Sequence, residues 1–276
     1  METQTRGIAK SVRGMKTSEG AGVNLTRVIG TSLLRSLDPF LMLDEFASDD
    51  PKDYLAGFPD HPHRGFETVT YMVEGNFKHR DNKGHEDAIG PGGVQWMTTG
   101  RGMVHSEMPM QKEGRVQGFQ LWLNLPRKDK MCEPSYGNLQ ASDIPETKIG
   151  DANVRVVAGT AGGITGPIGG RATEPVFLEV QLPAGGTAEV PVPEGHEGFV
   201  YPFAGNVSVG TRDLVRGELG ILAPGATLRL TAKEPARVLV VAGKPLREPV
   251  VQYGPFVMST HDEIEQAVRD YQAGKF

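Results

Sequence analysis

The chain has one cysteine, Cys132, so no intramolecular disulfide can form and thiolate-rich zinc modules are excluded. A reducing compartment is the expected setting. Positive charge is not in excess either. Against 34 Asp and Glu there are 29 Lys and Arg, a formal net charge of −5 that offers no general attraction to phosphate backbones. Direct nucleic-acid binding is not expected. No apolar run reaches the length that spans a bilayer, and Met1 to Lys16 lacks the apolar core of a secretory leader. These absences predict a soluble, cytoplasmic protein without a membrane partner.

What the chain has in quantity is turn formers, 36 Gly and 20 Pro in 276 residues, which favour many short strands over long helices. Val28 to Phe46 reads as a strand entering a sheet. Thr68 to Val73 is β-branched and aromatic and is followed by the turn Glu74-Gly75-Asn76, which predicts a hairpin. Val94 to Met97 and Phe119 to Leu125 are strand-like, and the charge run Arg127 to Lys130 reads as a solvated loop. Pro134 to Asp151 is polar and reads as a linker. Residues 1–133 and 134–276 are therefore the expected domains. In the second, Val154 to Val157, Val176 to Val180, Phe199 to Phe203, Leu228 to Leu230 and Arg237 to Val241 are spaced like the strands of a sandwich or barrel. Only the tail differs. Thr260 to Glu263 fits a capping box, and Ile264, Ala267, Val268 and Tyr271 form a helical stripe.

Two short clusters carry the chemistry, His61-Pro-His63 and His105-Ser-Glu107. Residues i and i+2 of a strand point to one face, about 6.6 Å apart, so each cluster can aim both side chains at one ion. Three imidazoles and a carboxylate suit first-row divalent metals such as Fe, Mn, Ni, Cu and Zn, and leave coordination positions open. Glu67 competes with Glu107, because His61, His63 and Glu67 follow His-x-His-x-x-x-Glu, a pattern that resembles the first motif of cupin barrels. An internal repeat bears on the choice. Tyr71 to Asn76 is similar to Tyr201 to Asn206; at the same offset His61 falls on Pro191, His63 on Pro193 and Glu67 on Glu197. Aligning Gly100 with Gly225 sets His105 against Leu230 and Glu107 against Ala232. Glu67 thus keeps a counterpart in a barrel that has lost the histidines, which marks it as structural and favours Glu107 as the ligand. The second barrel should have an apolar or empty equivalent of the metal site. His79, His85, His196 and His261 read as ordinary residues, with His79 and His85 solvent-exposed in the polar hairpin tip Lys78 to Asp87. Trp96, Trp122, Met97 and Met103 read as core or pocket wall.

The stretches His61-Pro-His-Arg-Gly-Phe-Glu-Thr68, Gln95-Trp-Met-Thr98, Gly100-Arg-Gly102, His105-Ser-Glu-Met-Pro109 and Phe119-Gln-Leu-Trp-Leu-Asn-Leu-Pro126 resemble those of the pirins, a family of bicupin proteins. Asp38 to Phe46 and Gly254 to Met258 add to the likeness. Pro109 stands where the general second cupin motif has Asn, which fits the pirin variant. The resemblance implies an all-β chain of two antiparallel cupin (jelly-roll-like) β-barrels packed together, with a short C-terminal helix. It also implies a mononuclear non-haem iron, Fe(II), held by His61, His63, His105 and Glu107. The implied activity is that of a quercetin 2,3-dioxygenase, which opens the flavonol ring with O₂ and releases carbon monoxide. Glu107 would take the proton of the flavonol 3-hydroxyl, and Phe66, Met97 and Met103 would wall the pocket. A second implied role is a redox-sensing regulator in which the iron state alters a surface read by a protein partner.

Overall fold

The computed structural model describes residues 5–276. The reading of a missing leader extends over residues 1–4, which lie outside the described residues. Strands are the main regular structure of the chain, with one α-helix, His261–Gln272, among the described residues. No helix there is long and apolar enough to cross a membrane.

Two compact units form, and they are not consecutive halves. The first comprises residues 15–36, 40–141 and 246–276, the second residues 5–14, 37–39 and 142–245. The boundary expected at residue 133 moves because Ser135–Leu139, inside the supposed linker, is a strand paired with Val94–Thr98. The termini exchange for the same kind of reason. Ile8–Arg13 pairs with Glu218–Leu222 in the second unit, and the C-terminal helix belongs to the first. Long-range strand pairing, invisible to local composition, sets both outcomes.

In the first unit a seven-stranded sheet runs in the order Ser135–Leu139, Val94–Thr98, Phe66–Glu74, Val116–Asn124, Phe40–Ser48, Val23–Ile29, Met15–Glu19. A four-stranded sheet runs Phe58–His63, Met103–Pro109, Phe77–Asp81, Glu86–Ile89. The sheets curl toward one another without closing into a continuous barrel, so the barrels expected from the sequence are curled two-sheet structures. Their shared interior at one end is apolar. Val23, Leu25, Phe46, Met72 and Val116 come from the larger sheet and Phe77 and Ile89 from the smaller, with the Phe46 and Phe77 rings stacked at 5.2 Å. Burying each such side chain contributes roughly 1.5–3 kcal/mol.

The second unit repeats this plan with a seven-stranded and a five-stranded sheet. Tyr71 and Tyr201 are both fully buried in their central strands, and Gly75 and Gly205, at φ 85° and 64°, make the turns that leave them. A side chain other than glycine is strained at such φ values. The interior of this unit is filled by aliphatic side chains, among them Val190, Val192, Leu228, Leu230 and Ala232. Leu230 and Ala232, the counterparts of His105 and Glu107, are core residues, as the repeat predicts. Glu197 is exposed whereas Glu67 is buried, so these two carboxylates do not share a role.

The C-terminal segment is fastened to the first unit beside the histidine strand. Gly65, at φ 89°, lets the strand Phe256–Met258 approach so closely that an added Cβ would stand 2.0 Å from the Val257 carbonyl. Lys130 is not in a solvated run, as the sequence suggests, but is buried there. Its ammonium donates to the carbonyls of Gly65 at 2.8 Å and Val257 at 3.1 Å and to Asn124 Oδ1 at 2.7 Å. Burial pulls its pKa down to about 8. The helix begins in the predicted capping box, with Thr260 accepting from the Glu263 amide and the Glu263 carboxylate accepting from the Thr260 amide. Its Asp270 receives Arg64 Nη1 at 2.9 Å.

That ion pair predicts an acid-sensitive tail. Hydrogen bonds from Arg64 first, and from Gln266, hold the Asp270 carboxyl at about 2, below its ordinary 3.8. A depressed folded-state pKa contributes stability that is complete above the unfolded value and lost as pH falls through the folded one. Amide-exchange protection factors of the helix His261–Gln272, taken relative to the intrinsic rate at each pH, should therefore fall as pH drops from 3.8 toward 2. Asp270→Asn should remove that component of the pH dependence.

Candidate metal centre

The strand Phe58–His63 lies antiparallel to Met103–Pro109, with His105 opposite His61 and Met103 opposite His63. Parity places His61, His63 and His105 on one side. The three imidazoles converge: ring centroids are 4.7 Å apart for His61 and His63, 4.4 Å for His61 and His105, and 5.0 Å for His63 and His105. One ring nitrogen from each lies within 4.8 Å of the others, the one such group of His, Cys, Asp or Glu among the described residues.

Three observations fit this triad to a divalent metal ion. His63 Nδ1 and His105 Nε2 are buried without any partner in the protein, although a buried nitrogen left unsatisfied costs about 1–3 kcal/mol. His61 Nδ1 contacts the Pro59 carbonyl at 2.8 Å, which leaves Nε2 as its metal-facing atom. Burial, and then the neighbouring imidazoles, hold His63 and His105 well below the usual histidine pKa and so in the neutral form that ligates. A hydrogen bond with the Pro255 carbonyl opposes the shift at His63 only in part. Among aromatic neighbours, Phe66 and Trp122 stand at 5.1 and 5.2 Å from the His63 ring and fix its plane.

Glu107 lies two residues beyond His105, past a register shift in the pairing with the histidine strand. Its carboxylate stands outside the 4.8 Å group but lines the same cavity as His61 and His63. Thr70 Oγ1 donates to Oε1 at 2.7 Å and Gln120 Nε2 to Oε2 at 2.8 Å. Those two residues are register partners on the facing sheet, so Glu107 spans the interior. Glu67 is buried elsewhere, accepting from Thr98 Oγ1 at 2.8 Å, and does not line the cavity.

The cavity measures about 600 Å³, within the range of small-molecule sites. Leu25, Met42, Phe46, Phe58 and Trp122 supply its apolar wall. The walls expected from Phe66, Met97 and Met103 are not there, because all three are fully buried in packed interior. At one side the wall is polar. Arg27 pairs with Asp44 through two hydrogen bonds of 2.9 and 2.7 Å and with Glu19 at 2.8 Å. Burial raises the Asp44 carboxyl against the opposing pull of Arg27.

Sequence reasoning placed His79 and His85 in solvent. His79 is buried, 5.3 Å from the His105 ring by centroid, and its strand Phe77–Asp81 alternates buried and exposed residues. That period of two in Phe77, His79 and Asp81 is the signal that would have revealed it. His85 is half-exposed and bound to Asp81.

The Pirin family model matches residues 22–123, and the Pirin C-terminal cupin domain model matches residues 177–276. A pirin-like protein of Caulobacter vibrioides is 50% identical over 274 residues, covering 98% of this chain and 99% of that protein. The crystal structure of a quercetin 2,3-dioxygenase from Acinetobacter baumannii superposes with a TM-score of 0.92 at 33% identity, covering 99% of both chains. The bacterial pirin YhhW of Escherichia coli, solved in complex with nickel(II), shares the fold at a TM-score of 0.66 and 16% identity, over 86% of this chain and 99% of that one. The chain belongs to the pirin family.

Proposed function

We propose that the chain is a mononuclear non-haem metalloprotein, with iron(II) as its resident ion, that cleaves a flavonol with O₂ in the manner of a quercetin 2,3-dioxygenase. The observation that carries this reading is the convergence of three imidazoles, two of them buried, beside a cavity sized for a small aromatic molecule and lined by His61, His63 and Glu107. His61, His63 and His105 would hold the ion, and Glu107 would complete the set. Nitrogen and oxygen donors of this kind accept iron(II), manganese, nickel, copper or zinc. When bound, such an ion supplies Lewis-acid polarisation and, for iron, redox access to O₂.

The protein's own groups do the rest. Phe46, Phe58 and Trp122 offer flat apolar surface to an aromatic ring system and exclude water from it. Thr70 and Gln120 orient the Glu107 carboxylate, one bond to each oxygen, and leave lone pairs to receive the proton of the flavonol 3-hydroxyl. The Asp44 and Glu19 carboxylates around Arg27 are acceptors for further hydroxyls on the substrate.

Protein loaded with iron(II) should consume O₂ and release carbon monoxide when given quercetin, while the flavonol absorption fades. Rates no higher than those of free iron(II) at the same concentration would refute the reading.

A further inference from the structure

His79 has no part in the ligand set, yet it is a hydrogen-bond partner of His105 Nδ1, at the long distance of 3.4 Å between the two Nδ1 atoms. Behind it, His79 Nε2 meets Asp81 Oδ2 at 3.2 Å, and the same oxygen meets His85 Nδ1 at 2.7 Å. Asp81 Oδ1 is held by the backbone amides of Lys83 at 2.9 Å and His85 at 3.1 Å. Tyr136 stacks on both imidazoles, 4.4 Å from His79 and 5.1 Å from His85. Three of these groups, His79, Asp81 and His105, are buried, and the chain reaches the surface at His85.

The direction of each hydrogen bond follows from chemistry. The Asp81 carboxylate only accepts, so His79 Nε2 carries the proton between them. In the neutral ring Nδ1 is then an acceptor, and the hydrogen atom between the two Nδ1 atoms belongs to His105. That leaves a lone pair on His105 Nε2, the buried atom without a protein partner. We propose that His79, oriented by Asp81, is a positioning residue that fixes the tautomer and aim of His105 and thereby sets metal affinity. The proposal rests on the metal-site reading above. It goes beyond that reading by assigning the half of His105 that faces away from the ion.

The test uses the full-length protein and two variants. His79→Phe keeps a ring against Tyr136 but removes both nitrogens, and His79→Gln restores an acceptor and a donor. In metal-free protein, long-range ¹H–¹⁵N NMR should show His105 protonated at Nδ1 in wild type and in mixed tautomers in His79→Phe. Competition of zinc(II) or iron(II) against a chelating indicator should show affinity lower by about 10–100-fold in His79→Phe, with partial recovery in His79→Gln. A residue that serves only packing would change the melting temperature and leave tautomer and affinity alone. Wild-type protein with His105 protonated at Nε2, or variants with unchanged affinity, would overturn the proposal while leaving the metal site standing. Failure of wild type to bind either ion would instead refute the metal-site reading, and the tautomer would still be measured. If His79→Phe does not fold, His79→Gln carries the comparison.

Discussion

His105→Ala is expected to abolish tight binding of iron(II), with an affinity loss exceeding the roughly 10–100-fold typical of changes one shell farther out. His105 is a buried imidazole whose pKa burial lowers and whose Nε2 has no partner in the protein, so its lone pair is available to an ion and not engaged in the fold. The same reasoning makes metal removal visible as lost stability. Without the ion, two buried nitrogens, His63 Nδ1 and His105 Nε2, are left bare at a cost of about 1–3 kcal/mol each. An ion that binds the folded state alone stabilises it by about 2.7 kcal/mol at a hundredfold excess over Kd. At about 2–4 °C per kcal/mol, melting should rise by roughly 5–10 °C on loading wild-type protein. His105→Ala should show almost none of that rise. Elemental analysis beside calorimetry checks both statements, and a variant that keeps wild-type metal content and its full thermal shift would refute the assignment of His105.

The triad was legible because strand periodicity is local. His61 and His63 sit two residues apart, and any strand there must send them to one face, whatever its partners. The capping box at Thr260 and the turn glycines at 75 and 205 are local in the same sense, and all of them form. Lys130 was not legible, and His79 was legible only through the period of two in its strand. Each stands in a polar run, and what buries it comes from distant sequence: Gly65 and Val257 for Lys130, His105 and Tyr136 for His79. Strand pairing across 200 residues likewise decided that Ile8–Arg13 belongs with Glu218–Leu222, which no composition shift marks. The choice of Glu107 over Glu67 leaned on a repeat whose premise fails at one point. Glu197 is exposed and Glu67 buried, so their alignment does not make Glu67 structural. The case for Glu107 now stands on different ground, namely its place on the cavity wall and its two donors from the facing sheet.

Glu107→Gln tests that case. The change is close to isosteric, and the Thr70 hydroxyl can still donate to the remaining oxygen. The new amide would confront Gln120 donor to donor, a conflict that Gln120 relieves by turning its own amide over, with its Oε1 already 3.4 Å from Thr70 Oγ1. Folding should therefore lose only about 1 kcal/mol, and the cavity should keep its shape. What disappears is the carboxylate that, on the proposed function, accepts the substrate proton. Losing a positioned general base costs about 10²–10⁴-fold in turnover, and that fall should appear in kcat with KM for quercetin little changed. Metal content should be retained in large part, since three imidazoles remain. Glu67→Gln is the control. Its carboxylate accepts from Thr98 away from the cavity, so this variant should turn over near the wild-type rate even if it melts earlier. Equal losses in the two variants, or a Glu107→Gln protein within tenfold of wild type, would transfer the proton-accepting role to another group.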